Sequence, residues 1–176
     1  MRQDKGYSLI ELITVIAIMG VLLGVGILQI GMITGYRVKE CTENIEAELN
    51  KVQITNMARK STEMEIYKDV SGSYYVKVIE NKGSSSECIT QKQVGKGSLL
   101  ITYSMNADDS DEQELNGSNK IMIQFDRATG ALIKDIPSSV GCHRIWIRQR
   151  NGSAVYTITI HQETGKIEVD SKEVKS

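Results

Sequence analysis

Glu11 is the one formal charge in an apolar run that reaches Ile33. A carboxylate within an uncharged spanning helix costs roughly 2.5–3.5 kcal/mol near mid-bilayer on insertion scales, so it marks a function and a partner. A second constellation is Arg144, Trp146, Arg148 and Arg150, which alternate with apolar Ile145 and Ile147. On a strand these even positions share the face opposite the isoleucines. Three guanidinium groups and an indole then form an outward stripe suited to phosphates and stacked bases. An exposed sheet face with Trp146 covered by a neighbouring segment or subunit would read the same way. Asp108, Asp109, Asp111, Glu112 and Glu114 crowd one loop but lack the spacing and central glycine of a helix-loop-helix calcium site. They point to a solvated loop. Serine, histidine and acidic residues lack the spacing of a catalytic triad, and no phosphate-binding glycine loop or nucleophile elbow occurs. No enzyme activity, metal or cofactor is expected.

These residues need elements to position them. Leu12 to Ile33 is 22 residues, roughly 33 Å of helix, enough to cross a ~30 Å hydrocarbon core. A secretory signal peptide has an apolar core of ~7–15 residues and a small-x-small cleavage site, neither of which fits here. Arg2 and Lys5 on the short leader hold the N terminus in the cytoplasm by the positive-inside tendency, so the chain beyond Tyr36 faces outward. With 21 basic and 22 acidic residues, no global field draws the protein to nucleic acid, and strong DNA binding is disfavoured. Gly20 with Gly24, and Gly31 with Gly35, make small-xxx-small pairs that let helices approach closely.

Past Tyr36 the helix continues as an amphipathic one. Val38, Cys41, Ile45, Leu49 and Val52 step by three or four along one face, and the period carries to about Met57 and Ala58. The remainder reads as β-structure. Strands are expected at Met64–Lys68 and Tyr74–Ile79 around Ser71-Gly72, at Ser98–Ser104, and at Lys120–Phe125 with Ile121, Ile123 and Phe125 on one face. Asp126-Arg127-Ala128-Thr129-Gly130 turns the chain into Ala131-Leu132-Ile133. Gly83-Ser84-Ser85-Ser86 reads as a flexible surface loop. The clearest hairpin is Arg144 to Ile160 around Asn151-Gly152, a strong two-residue turn signal. A two-residue loop there pairs Ile147 with Tyr156 and Ile145 with Ile158, which puts apolar residues of both strands on one side. A last hairpin turns at Glu163-Thr164-Gly165-Lys166. The fold class is thus α+β, a long helix packed on an antiparallel sheet or two-sheet head.

Cys41, Cys88 and Cys142 suit an oxidising exterior with one disulfide and one odd thiol. They lack Cys-x-x-Cys spacing, and His143 and His161 complete no usual zinc pattern. Cys41 falls on the apolar stripe, where a reduced cysteine packs as a small hydrophobe. A Cys88–Cys142 bond is therefore favoured over the two pairings with Cys41 and over full reduction.

The segment Lys5-Gly6-Tyr7-Ser8-Leu9-Ile10-Glu11-Leu12 joins a basic leader, a small residue, an aromatic and a glutamate five places beyond the glycine. It resembles the type IV prepilin signal. The resemblance implies that a membrane peptidase cuts between Gly6 and Tyr7 and methylates the amine of Tyr7, and that Glu11 neutralises this amine on a neighbouring subunit. It divides the chain into a leader (1–6), a membrane or filament-core helix (7–35), an amphipathic half-helix (36–62) and a β-rich head (63–176). Tyrosine for the commoner phenylalanine, and the lack of a proline in the apolar segment, depart from the major pilins. Met57-Ala58-Arg59, Ile123-Gln124-Phe125 with Thr129-Gly130, and Tyr156-Thr157-Ile158-Thr159-Ile160 with Thr164-Gly165-Lys166-Ile167 loosely resemble the GspH/FimT-like pseudopilins. The implied function is a structural subunit of a type IV pilus, competence or type II secretion filament. Its partners would be the prepilin peptidase, other pilins, the assembly platform and the cytoplasmic membrane. The alternative is a signal-anchored, outward-facing binding domain that keeps its leader, never polymerises and contacts DNA through the arginine stripe.

Overall fold

The computed structural model describes residues 9–28, 30–58, 60–82, 85–133, 135–136, 139–140, 142–150 and 154–173, without the side chains of 22–34, 82, 135–136, 139–140 and 173. The chain divides into two compact units, Met1–Thr34 and Gly35–Ser176. In the first, helix α1 spans Leu9–Leu28. Thr14 donates its hydroxyl to the Ile10 carbonyl at 2.7 Å, which satisfies that polar group inside the helix. Every side chain from Leu9 to Val21 is exposed, on all faces of the helix. Among the described residues no helix is long and apolar enough to cross a membrane. The expected span, Leu12–Ile33, runs through 22–34, whose side chains lie outside the description.

Helix α2 covers Ile30–Met57. Its stripe of Val38, Cys41, Ile45, Leu49 and Val52 is fully buried, the five positions that helical periodicity picks out. On other faces Lys39 pairs with Glu43 and Lys51 with Glu48, at spacings of four and three. The stripe joins residues of two antiparallel sheets in one core.

The first sheet contains β1 (Thr62–Lys68), β2 (Tyr74–Lys82), β3 (Ser85–Gly95) and β6 (Lys120–Ile123), in the order β3-β2-β1-β6. The second contains β4 (Leu99–Ser104), β5 (Gln113–Glu114), β9 (Arg144–Gln149), β10 (Ala154–Ile160) and β11 (Ile167–Glu173), in the order β11-β10-β9-β4-β5. Two short strands, β7 (Asp135–Ile136) and β8 (Ser139–Val140), pair with each other. Period-2 alternation puts Met64 and Ile66 of β1 inside and leaves Glu63 and Glu65 half-buried on the other face. Ile145 and Ile147 of β9 are fully buried, as are Ile158 and Ile160 of β10. The observed register is Ile147 with Tyr156 and Ile145 with Ile158, the one that a two-residue loop requires. The Asn151-Gly152 turn itself lies outside the described residues.

Two expectations need correction here. Ser85 and Ser86 belong to β3 rather than to a loop, and β3 runs to Gly95 as a strand the periodicity does not show. Its outer residues are exposed and polar, so no apolar alternation announces it; it forms because it hydrogen-bonds the edge of β2, with two register shifts on the way. The strand at Lys120 stops at Ile123, and Phe125 continues only as an isolated bridge to Leu132. Ile121, Ile123 and Phe125 are nonetheless all buried.

Two polar side chains tie the end of α2 to the β-structure. Asn56, itself buried, donates to the Thr62 carbonyl at 2.9 Å and accepts from the Thr62 amide at 2.6 Å and hydroxyl at 2.8 Å. The start of β1 is thereby fixed. Gln53 donates both amide protons, one to Gly130 and one to Gly165, each carbonyl at 2.9 Å. Those glycines close the two Thr-Gly turns and have φ of 71° and 65°, which side chains adopt at a cost. A Cβ on Gly165 would lie 1.8 Å from the Gly130 carbonyl oxygen. Gln53→Ala should destabilise the fold by ~1–2 kcal/mol through the two stranded carbonyls. Gly165→Ala should cost more, since strain adds to a backbone clash that no rotamer relieves. Thermal melting of the two variants checks this order; an unperturbed Gly165→Ala protein would show that the turns do not abut.

Candidate functional site

Gly6 and Tyr7 lie outside the described residues. Glu11 is in the first turn of α1, the only acidic residue there, and its neighbours in the helix are apolar. The nearest apolar side chains are among the most exposed of the chain, Leu9 at 77 % and Ile10 at 70 %. A helix apolar all round is stable only when something apolar surrounds it, a bilayer or a bundle of similar helices.

The arginine stripe is placed as alternation dictates. Arg144, Trp146 and Arg148 are half-buried on the face opposite Ile145 and Ile147, and Arg144 lies over the Trp146 ring at 5.8 Å. Three of the five acidic residues of the adjoining loop contact the stripe. Asp109 pairs with Arg144, Glu112 with Arg148 at 3.5 Å and Glu114 with Arg150 at 3.8 Å. Lys68 adds a further contact to Glu114 at 3.8 Å. The segment is anchored to β4 by Ser104, which donates to Asp111 at 2.5 Å, and by Thr102, which donates to Glu112 at 2.6 Å. Amides of Met105 and Asn106 also donate to Asp111, each at 3.2 Å. Asp109 takes a left-handed φ of 59°, a conformation that aspartate tolerates better than most residues. The segment is largely exposed, as a solvated loop should be, and it also meets the sheet: Asp109, Glu112 and Glu114 pair with the three arginines, and a phosphate backbone would have to displace them. Exposed pairs of this kind contribute ~0–1 kcal/mol each; their clearer effect is on local charge.

The expected Cys88–Cys142 bond is absent, and all three cysteines are free thiols. Cys88 is exposed on β3 in one sheet, whereas Cys142 is fully buried beside β9 in the other. There Cys142 donates to the Ser104 and Arg144 carbonyls at 3.6 and 3.3 Å. Burial pushes the Cys142 thiol well up and the Cys41 thiol up to about 12, so neither forms a reactive thiolate near neutrality. Among the described residues no cluster of His, Cys, Asp or Glu is arranged to hold a metal ion.

The hydrogen bond from Ser104, with the amides beside it, holds the Asp111 carboxyl below its ordinary value of 3.8. A depressed pKa gives stability that is complete above 3.8 and lost as pH falls through the lower folded value. Trp146, the chain's single tryptophan, reports on this. Its accessibility to iodide should stay constant down to about pH 4 and rise below that as the acidic segment lets go. Asp111→Asn should show the raised accessibility already at neutral pH. Identical quenching of the two proteins across the range would mean that Asp111 does not anchor the segment.

Residues 1–27 match the family model described as the prokaryotic N-terminal methylation motif. The match includes Gly6, Tyr7 and Glu11 and stops short of the head. No curated protein and no solved structure matches the chain significantly. With the N-terminal methylation motif over residues 1–27 and an α+β domain behind it, the chain is type IV prepilin-like at its N terminus.

Proposed function

We propose that the chain is a minor pilin or pseudopilin, a non-enzymatic structural subunit of a type IV pilus, competence or type II secretion filament. It is made as a single-pass precursor in the cytoplasmic membrane with its N terminus in the cytoplasm. It is cut between Gly6 and Tyr7, methylated on the Tyr7 amine and polymerised outside that membrane. The observation that carries this reading is α1: exposed apolar residues on every face with one carboxylate, Glu11, in the first turn. Such a surface is unsuited to water and suited first to lipid and then to a bundle of identical helices. A head of one half-buried helix and two antiparallel sheets agrees with the loose GspH/FimT-like resemblance of the C-terminal motifs.

The chemistry follows from Tyr7 and Glu11, four positions apart in the sequence. Cleavage leaves a charged amine on Tyr7, close along the chain to the Glu11 carboxylate. Among staggered subunits the amine of one chain can meet Glu11 of the next, and burying either charge alone costs several kcal/mol. Register is thereby selected. The arginine stripe gives no comparable support to a DNA-binding reading, since its charges are met within the head.

Replacement of Gly6 by a bulky residue should leave full-length precursor in the membrane, read as unprocessed protein on immunoblots. Normal maturation would move the cleavage site elsewhere. Glu11→Ala should insert and be cleaved normally yet enter filaments at a small fraction of the wild-type level. Wild-type incorporation of that variant, measured in sheared filament fractions, would remove Glu11 from assembly.

A further inference from the structure

A cavity of about 310 Å³ opens between α2 and the end of β3, with Arg37, Glu40 and Asn44 on the helix side and Gln93, Lys96 and Ser98 opposite. The volume is in the range of small-ligand sites. Its floor is apolar: Val94 and Leu99 line it and are buried, and Gly95 packs on Cys41, where an added Cβ would come within 3.2 Å of the sulfur. Its rim is charged. Arg37, Lys96 and Glu40 are exposed, and among the described residues none of the three has an ion-pair partner, whereas Lys39, Lys60, Lys68 and Lys120 on the same unit do. Asn44 is already taken, since Lys92 donates to it at 2.7 Å. The cavity thus offers two cations and one anion around a shallow apolar base.

Chain position says what such a set would meet. Arg37 follows Ile33, the end of the apolar run, by four residues of α2, about 6 Å of helix. The headgroup layer on each side of a bilayer is roughly 5–7 Å deep. Resting on the membrane-anchored reading above, we infer that this cavity binds the headgroup of a zwitterionic phospholipid in the outward leaflet. Arg37 and Lys96 hold the phosphate and Glu40 the ammonium. Arginine's planar fork grips two phosphate oxygens while lysine acts as a point charge. Glu40 supplies the selectivity, because an anionic headgroup without an amine leaves that carboxylate facing like charge.

The test uses the full chain in micelles doped with phosphatidylethanolamine or phosphatidylglycerol, with lipid retention read by native mass spectrometry. The wild type should retain one phosphatidylethanolamine. Arg37→Gln with Lys96→Gln should weaken retention by about tenfold or more, the loss expected for charge-assisted contacts. Glu40→Gln should erase the preference for phosphatidylethanolamine over phosphatidylglycerol while keeping a lipid bound. Lys60→Gln with Lys166→Gln, remote from the cavity, should change nothing. Equal retention by wild type and the Arg37/Lys96 variant would overturn the site. Displacement of the lipid by millimolar inorganic phosphate would overturn the bilayer as the source. Alkaline extraction of cell membranes separates the two readings: a chain that stays with the membrane but shows no variant-sensitive lipid defeats only the cavity proposal. A chain released by alkali defeats the membrane anchoring on which it rests.

Discussion

The fully buried stripe of α2 is the constraint on which the head depends. Val38, Cys41, Ile45, Leu49 and Val52 share one core with Met64, Ile66 and Ile123 of the first sheet and Ile101, Ile145 and Ile158 of the second. Without the helix, neither sheet could cover its apolar face, since each offers only half of a core. The helix also carries the polar ties. Asn56 fixes where β1 begins, and Gln53 holds two turns together whose glycines are far apart in sequence. Packing sets the face, and these amides set the axial position.

The two units solve opposite solvent problems. From Leu9 to Val21 the helix exposes apolar residues on all sides, while α2 buries Val38, Cys41, Ile45, Leu49 and Val52 on one stripe and carries ion pairs elsewhere. A proposed filament subunit needs both: a segment that leaves lipid for a helical bundle, and a head whose fold does not depend on that transfer. The second unit has its own core, so what happens to the first need not disturb it. The neutralised arginine stripe fits the same economy of surface. Acidic residues of the adjoining segment cancel it locally, and the chain as a whole is near neutral.

Periodicity made the helix face and the central hairpin legible. Five apolar positions at spacings of three and four allow one stripe, and alternation on either side of Asn151-Gly152 allows one register. What escaped had no local signature. β3 is an edge strand whose exposed residues, Gln91 and Lys92 among them, are chosen by solvent rather than by a core. Gln53 and Asn56 look like ordinary polar helix residues until their partners, up to 112 positions away, are in place. The pairing of Asp109, Glu112 and Glu114 with Arg144, Arg148 and Arg150 is equally non-local. For the cysteines, an oxidising exterior suggested a bond, yet Cys88 is exposed on β3 of the first sheet and Cys142 is enclosed just before β9 of the second. At the N terminus the reverse holds: Gly6, Tyr7 and Glu11 were legible as a motif because an enzyme reads them as local sequence.

The central claim is that the chain is a processed pilin subunit, and its mature terminus records this directly. Intact-mass and N-terminal peptide analysis of the protein purified from membranes and from sheared surface filaments gives the answer. The expected species starts at Tyr7, lacks Met1 to Gly6 and carries one added methyl group on its terminal amine. A protein that retains Met1 to Gly6 in both fractions, with an unmodified Tyr7, would contradict the claim and leave an anchored, non-polymerising domain in its place.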